Sequence, residues 1–279
     1  MRSIALFAAA CLFHAAPASG QGAEELEVDV ELILAVDVSW SMDYREQALQ
    51  REGYVSAFRS EDVQRTIMGG GWGRVAVVFV EWAGLGSQSI VVPWTLIDSK
   101  ESADAFAYRL SSEEPSRQRR TSIADALDFV VPMFDGNGYA GLRLIIDVSG
   151  DGPNNQGRPV IEARDAAAER GITVNGLPLM TTGGDSFGGS WGSIANLDAY
   201  YEECVIGGPG AFMIPVNGWE QFPDAVRRKL VLELAGGWPF AGRPDAVPVT
   251  RVQSAGTVDC LIGERLWRQR QERWNFNAP

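Results

Sequence analysis

The sequence predicts an α/β fold: a doubly wound, mostly parallel sheet of six strands, with helices on both faces and one antiparallel edge strand. Short, strongly apolar runs alternate with longer segments whose apolar residues recur at helical spacing. This alternation is typical of a sheet that is buried on both faces. The length of 279 residues, with 46% hydrophobic and 22% charged residues, is enough for one large domain with a substantial core.

The strands are expected where the apolar runs are shortest and most continuous, as in ELILAVDV and RVAVVFVEW. Pro93 lies inside the third run, and its missing N–H favours an edge position. The predicted strands cover residues 31–38, 74–82, 89–97, 142–148, 172–180 and 211–216. The predicted helices cover residues 43–68, 99–110, 122–134, 159–170, 197–204, 219–235 and 260–274.

The first twenty residues resemble a secretory signal. Arg2 precedes an apolar run over residues 4–16, and small residues at 16–18 provide a cleavage position. The run is too short to span a bilayer, and lipid modification of Cys11 is an alternative. We therefore expect an exported protein, periplasmic or secreted, with a signal peptide at 1–20, one domain at 29–236 and a C-terminal extension at 237–279.

Composition excludes several kinds of chemistry. The net charge of −12 and the pI near 4.6 argue against a nucleic-acid partner. The single histidine, His14, lies in the predicted signal, so the exported chain would lack histidine-based catalysis and the usual zinc ligands. Oxygen ligands remain, and these suit magnesium, calcium or manganese. Cys204 and Cys260 would form one disulfide in an oxidising compartment or remain buried thiols.

Polar residues follow two of the predicted strands and precede one helix. The string D-x-S-x-S, formed by Asp37, Ser39 and Ser41, follows the first strand. Asp151 follows the fourth strand in a Gly-Asp-Gly turn, and Thr121 precedes the helix at 122–134. Each alone is compatible with a helix cap or a turn. Ligands of such sheets bind beyond the carboxyl ends of the strands, where these residues are expected to meet.

Together, these motifs resemble the von Willebrand factor type A domain and its metal-ion-dependent adhesion site, over residues 29–236. The stretches QREGYVSAF and RRKLVLELAG are similar to those of exported bacterial members with no assigned function. The resemblance implies Mg²⁺, or Mn²⁺ or Ca²⁺, held by Asp37, Ser39, Ser41, Thr121 and Asp151. It also implies a protein partner whose Asp or Glu completes the shell of the cation.

The sequence departs from the family pattern at two places, and both bear on which partner would bind. Arg119 and Arg120 replace the small residues usual before the threonine, and Gly150 replaces a threonine before Asp151. The arginines would narrow the site or attract an acidic ligand. Trp40 inside the motif and Asp185, Phe187 and Trp191 in a glycine-rich loop are further ligand-facing residues.

The sequence favours a binding module over two alternatives. A metal-dependent hydrolase using the same ion lacks an evident general base, because the aspartates are assigned to the metal. A structural or assembly protein with a vestigial metal site is the other alternative, and Arg119 and Arg120 are its main support.

Overall fold

The computed structural model describes residues 25–181, 193–235 and 258–276. Five strands form one sheet in the order β3-β2-β1-β4-β5, in which only the β2–β3 pair is antiparallel. The strands are β1 (Leu26–Asp37), β2 (Val75–Trp82), β3 (Ser89–Ile97), β4 (Tyr139–Gly150) and β5 (Thr173–Pro178). The α/β class and the antiparallel edge at the Pro93 strand are confirmed.

Helices cover both faces of the sheet. The α-helices are α1 (Tyr44–Arg59), α2 (Glu61–Met68), α3 (Lys100–Ser112), α4 (Ile123–Val130), α5 (Val160–Glu169), α6 (Leu197–Tyr200), α7 (Phe222–Leu234) and α8 (Ile262–Phe276). Two short 3-10 segments, Val131–Phe134 and Trp219–Gln221, and one π-helical turn, Tyr201–Val205, adjoin them. No helix in the described ranges is both long and apolar enough to cross a membrane.

The sheet separates two hydrophobic cores. Alternate side chains of β1 point to opposite faces, so Leu32 and Leu34 enter one core while Ile33 and Ala35 enter the other. Helices α1, α2, α3 and α7 cover the first core, and α4, α5 and α6 cover the second. Burial on both faces explains why residues 32–36 of β1 (LILAV) and 75–80 of β2 (VAVVFV) are continuously apolar in the sequence.

The prediction of one helix over residues 43–68 is wrong. The chain leaves the helical conformation at Ser60, whose φ of −74° and ψ of 141° are extended. The Ser60 hydroxyl accepts a hydrogen bond from Val63 N and so caps a separate helix, α2. After this break, α2 buries Val63 and Ile67 in the first core.

The prediction of a sixth strand at 211–216 is also wrong for the described residues. This segment runs beside β5 but makes only isolated bridges, Gly176 with Met213 and Leu179 with Val216. One reason is that the side chain of Asn175 accepts the hydrogen bond of Phe212 N, which a regular ladder would direct to backbone.

Loops meet at the edge where β1, β2 and β4 end. These strands are parallel, so Asp37, Trp82 and Gly150 end at the same side of the sheet. Helix α3 follows the antiparallel strand β3 and brings the α3–α4 loop, residues 113–122, back to this edge. The bridge between Ser39 and Gln118 joins that loop to the β1 loop.

Candidate functional site

The loop after β1 holds a buried carboxylate with one oxygen unused. Asp37 is fully buried at the last position of β1, and its Oδ1 accepts a hydrogen bond of 2.7 Å from Ser39 N. Its Oδ2 is also buried and has no hydrogen-bond partner among the described residues. A buried carboxylate oxygen without a donor is costly, so this atom calls for a ligand.

Three side chains from two loops meet beside Asp37. The hydroxyls of Ser39 and Ser41 lie 2.8 Å apart, and the Ser41 hydroxyl donates a hydrogen bond of 2.7 Å to Asp151 Oδ1. Asp151 directly follows β4, which is the neighbour of β1 in the sheet. The parallel pairing of these two strands therefore brings residues 110 positions apart in the sequence into contact.

The backbone of Thr121 is held to the same edge by the loop that carries Asp151. Asn155 N donates to Thr121 O at 2.9 Å, and Thr121 N donates to Asn155 Oδ1 at 3.2 Å. On the other side, Gln118 N donates to Val38 O at 3.0 Å. The three loops that carry Asp37, Thr121 and Asp151 are thus hydrogen-bonded to one another.

Burial disfavours the ionised forms of Asp37 and Asp151 in the absence of a cation. Burial raises the pKa of the Asp37 carboxyl well above its usual value, and the charge of Asp151 raises it further. Burial also raises the pKa of Asp151 to about 6, although the hydrogen bond from Ser41 opposes this. A divalent cation would reverse the penalty, since an opposite charge favours the ionised form.

The donor set fits a hard divalent cation. Two carboxylates and the hydroxyls of serine and threonine are oxygen ligands, which magnesium, manganese and calcium prefer. In the described part of the chain, no group of three or more His, Cys, Asp or Glu side chains is arranged to hold a metal. A site built here therefore depends on the neutral hydroxyls of Ser39, Ser41 and Thr121.

Tyr201 explains why residue 150 is glycine. A Cβ at Gly150 would lie 2.9 Å from the Tyr201 hydroxyl and 3.0 Å from Asp37 Oδ2. The buried Tyr201 hydroxyl has no hydrogen-bond partner among the described residues. Its pKa is raised well above the usual value by burial and then by the charge of Asp37. A side chain at residue 150 would thus meet the Tyr201 hydroxyl, which comes from a helical turn that no motif signalled.

Arginines and aromatic rings line one side of the site. The Arg119 guanidinium lies 4.2 Å from the centre of the Trp40 ring, and that of Arg120 lies 3.4 Å from the Trp267 ring. Arg117 donates hydrogen bonds of 3.0 Å to the carbonyls of Met42 and Trp40. The sequence singled out Trp40, Arg119 and Arg120, but it missed Arg117 and Trp267.

The C-terminal helix α8 packs against the loop that carries Asp151. Asn154 Nδ2 donates a hydrogen bond of 2.7 Å to Glu264 Oε1. The helix is so close that a Cβ on Gly263 would lie 2.0 Å from the carbonyl oxygen of Asn154. A disulfide between Cys204 and Cys260 joins the start of α8 to the π-helical turn, as predicted. Disulfides are typical of oxidising compartments.

Three of the predicted ligand-facing residues lie outside the described residues. These are Asp185, Phe187 and Trp191, which were expected from the sequence in a glycine-rich loop. The predicted signal peptide at 1–20 and most of the extension at 237–279 also lie outside the described ranges.

Solved structures share this fold. Proximal thread matrix protein 1 from the mussel byssus matches with a TM-score of 0.53 and 17% identity, covering 76% of this chain and 49% of that one. The pilus adhesin SpaC from Lactobacillus rhamnosus GG matches with a TM-score of 0.54 and 11% identity, covering 74% of this chain and 31% of that one. The chain thus spans about half the length of the mussel protein and about a third of the length of the adhesin. At these identities the likeness shows the fold alone.

No curated protein matches this sequence significantly. A family model described as "Protein of unknown function (DUF1194)" matches residues 27–238, which is more than half of the chain. That family is similar to the von Willebrand factor type A domain, in agreement with the sheet order and the helices on both faces. The chain belongs to the DUF1194 family and has a von Willebrand factor type A-like fold.

Proposed function

We propose that this protein is an exported binding module that captures an acidic group of a protein partner through a bound divalent cation. Asp37, Ser39, Ser41, Thr121 and Asp151 would hold the cation. Mg²⁺ is the proposed ion, and Mn²⁺ and Ca²⁺ are alternatives with the same preference for oxygen ligands.

The unpartnered Oδ2 atom of Asp37 is the observation that carries this proposal. It is buried beside Asp151 and a pair of serine hydroxyls, and no positively charged side chain of the described residues forms an ion pair with either aspartate. Such an arrangement is expensive unless a cation is supplied from outside the chain.

Each side chain has a role in this proposal. The hydroxyls of Ser39, Ser41 and Thr121 would be neutral ligands, while Asp37 and Asp151 would balance part of the charge. A cation with few directly bound charges remains electrophilic and accepts a carboxylate as a further ligand. Ser39 N fixes the orientation of the Asp37 carboxylate through the 2.7 Å hydrogen bond.

Two further observations support the proposal. A second structure of the mussel protein, with a TM-score of 0.51, is described as having a zinc-occupied MIDAS motif. The described disulfide is consistent with export to the periplasm or the outside of the cell. The segments expected from the sequence belong to the same proposal: a signal peptide at 1–20, a binding domain at 29–236 and an extension at 237–279.

The test is calorimetric titration of Mg²⁺ and then Mn²⁺ into residues 21–279. We expect saturable binding by the wild type and none by Asp37→Asn, which keeps the side-chain shape but removes the charge. The matched control is Asp29→Asn, because Asp29 is also buried on β1 but lies toward its opposite end. Circular dichroism checks that each variant is folded.

Either of two results would contradict the proposal. Normal Mg²⁺ binding by a folded Asp37→Asn protein would place the metal elsewhere. Absence of binding in the wild type would instead favour a structural or assembly role with a vestigial metal site. Turnover of a broad ester, phosphoester or glycoside panel, lost with Asp151→Asn, would favour the hydrolase.

A further inference from the structure

Three arginines beside the candidate metal site have no acidic partner in the described part of the chain. Arg117, Arg119 and Arg120 form no ion pair there, whereas Arg51 and Arg158 each do. In a chain with 36 acidic and 24 basic residues, so concentrated a positive charge is unexpected.

Aromatic rings hold these arginines in place. Arg119 lies over Trp40, Arg120 lies over Trp267, and Arg117 lies 5.0 Å from the centre of the Tyr44 ring. We call this surface, formed by Trp40, Tyr44, Arg117, Arg119, Arg120 and Trp267, the arginine rim. A guanidinium that stacks on a ring can still present N–H groups at its edge to a carboxylate.

The arginine rim is continuous with the candidate metal site. Trp40 lies between Ser39 and Ser41 in the sequence, and Arg120 directly precedes Thr121. Arg120 has a φ of 76°, a left-handed conformation that is costly for a side chain larger than glycine. Trp40 is 49% exposed and Tyr44 is 72% exposed, so the rim faces solvent.

We propose that the arginine rim binds a second carboxylate of the same acidic polypeptide whose first carboxylate completes the shell of the cation. The inference rests on the proposed function and specifies its partner: a segment with an Asp or Glu for the metal and further acidic residues close to it in sequence. Charge complementarity supports this occupant, since the rim concentrates unpaired cations on an acidic protein.

The stacking favours a polypeptide over an anionic polysaccharide. Here guanidinium groups already lie over the rings of Trp40 and Trp267. The groups left for a ligand are therefore N–H donors, which match side-chain carboxylates.

The test uses three capped peptides and the protein in Mg²⁺. One peptide has a single Asp among glycines, the second adds a Glu on each side, and the third replaces both Glu by Gln. We expect the second peptide to bind about three- to tenfold more tightly than the other two, with the advantage falling as salt rises. Arg119→Gln should remove most of this advantage without weakening Mg²⁺ binding, since it removes a positive charge near the cation.

The control is Arg59→Gln. Arg59 is exposed in the last turn of α1, far from the start of that helix at the metal edge, and we expect its replacement to have no effect. Circular dichroism checks the fold of both variants. Binding in chelator tests the rim without the metal: the triply acidic peptide should still bind, more weakly, and Arg119→Gln should weaken that binding further.

The outcomes separate the two proposals. Equal binding of all three peptides by a wild type that binds Mg²⁺ would overturn the inference and leave the proposed function standing. Failure to bind Mg²⁺, with the chelator result as expected, would overturn the proposed function and retain the rim as an anion site. A trigalacturonate that binds more tightly than the triply acidic peptide would overturn the choice of a polypeptide.

Discussion

The sheet carries two clusters of buried carboxylates, an edge cluster and an inner cluster, and in the described part of the chain only the inner cluster contains a positively charged side chain. At the edge, Asp37 and Asp151 have serine hydroxyls beside them and no ion pair among the described residues. Within the first face, Lys229 of α7 forms ion pairs with Asp147 of β4, at 2.7 Å, and with Glu233. The inner cluster is neutralised largely by the chain, whereas the edge cluster needs an external charge.

The inner cluster is also not fully neutral. One lysine faces two carboxylates, and burial together with the charge of Asp147 raises the pKa of Glu233 to about 7. Asn175 Nδ2 donates a hydrogen bond of 2.9 Å to Glu233. The inner cluster therefore joins α7 to β4 and β5 through fully buried polar contacts. Its role is structural, whereas we propose a ligand for the edge cluster.

Removing the internal cation should have the largest effect. We expect Lys229→Met to lower the free energy of unfolding by about 3–5 kcal/mol, because it leaves the buried carboxylates of Asp147 and Glu233 without a positively charged partner. Urea unfolding measures this change. The control Arg227→Gln, on the exposed side of α7, should cost less than about 1 kcal/mol. Equal losses in the two variants would show that the inner cluster is not maintained by its lysine.

Supplying the external cation should stabilise the protein through the edge cluster. At a Mg²⁺ concentration of 100 times the dissociation constant, the wild type should gain about 2.7 kcal/mol. Asp37→Asn should gain nothing, because the proposed ligand set is broken. Unfolding in Mg²⁺ and in chelator measures both values. A Mg²⁺-dependent gain in Asp37→Asn equal to that of the wild type would contradict the contrast between the clusters.

The inner cluster has two carboxylates and one lysine, and this imbalance should make the stability of the protein depend on pH. The pKa of Glu233 rises from 4.5 to about 7 on folding, so the folded state holds this proton more tightly. Its contribution to stability is complete below pH 4.5 and is lost as the pH rises through about 7. We expect Glu233→Gln to reduce the loss between pH 5 and pH 8 by about 1–2 kcal/mol.

Urea unfolding at both pH values measures this difference. The control is Glu61→Gln on the exposed surface of α2, which removes a carboxylate without touching the cluster. A Glu233→Gln protein with the same pH dependence as Glu61→Gln would show that Glu233 is already ionised at pH 5.

The position of the candidate site was predictable because it depends on where the parallel strands end. Asp37 and Asp151 each follow an apolar run, and parallel strands end at the same edge of a sheet. The break at Ser60 was also readable, since Ser60-Glu-Asp is a helix-start pattern. It was missed because apolar residues keep a helical spacing on both sides of the break.

Other parts of the site had no local signal. Tyr201, Trp267 and Arg117 reach the site from segments whose sequence resembles ordinary helix or loop. The sixth strand was predicted because residues 211–216 are apolar, yet the Asn175 side chain diverts a backbone hydrogen bond that a regular ladder would use.

Local sequence was thus sufficient for the α/β class, the positions of β1 to β5 along the chain and the oxygen-rich loops, because periodicity and strand ends are properties of neighbouring residues. It was not sufficient for the charge balance of those loops. Whether a buried carboxylate meets Lys229, a serine hydroxyl or nothing depends on helices and loops up to about a hundred residues away in the chain. Such neighbours are set by packing across the sheet, which determines where this acidic protein lacks a positive charge.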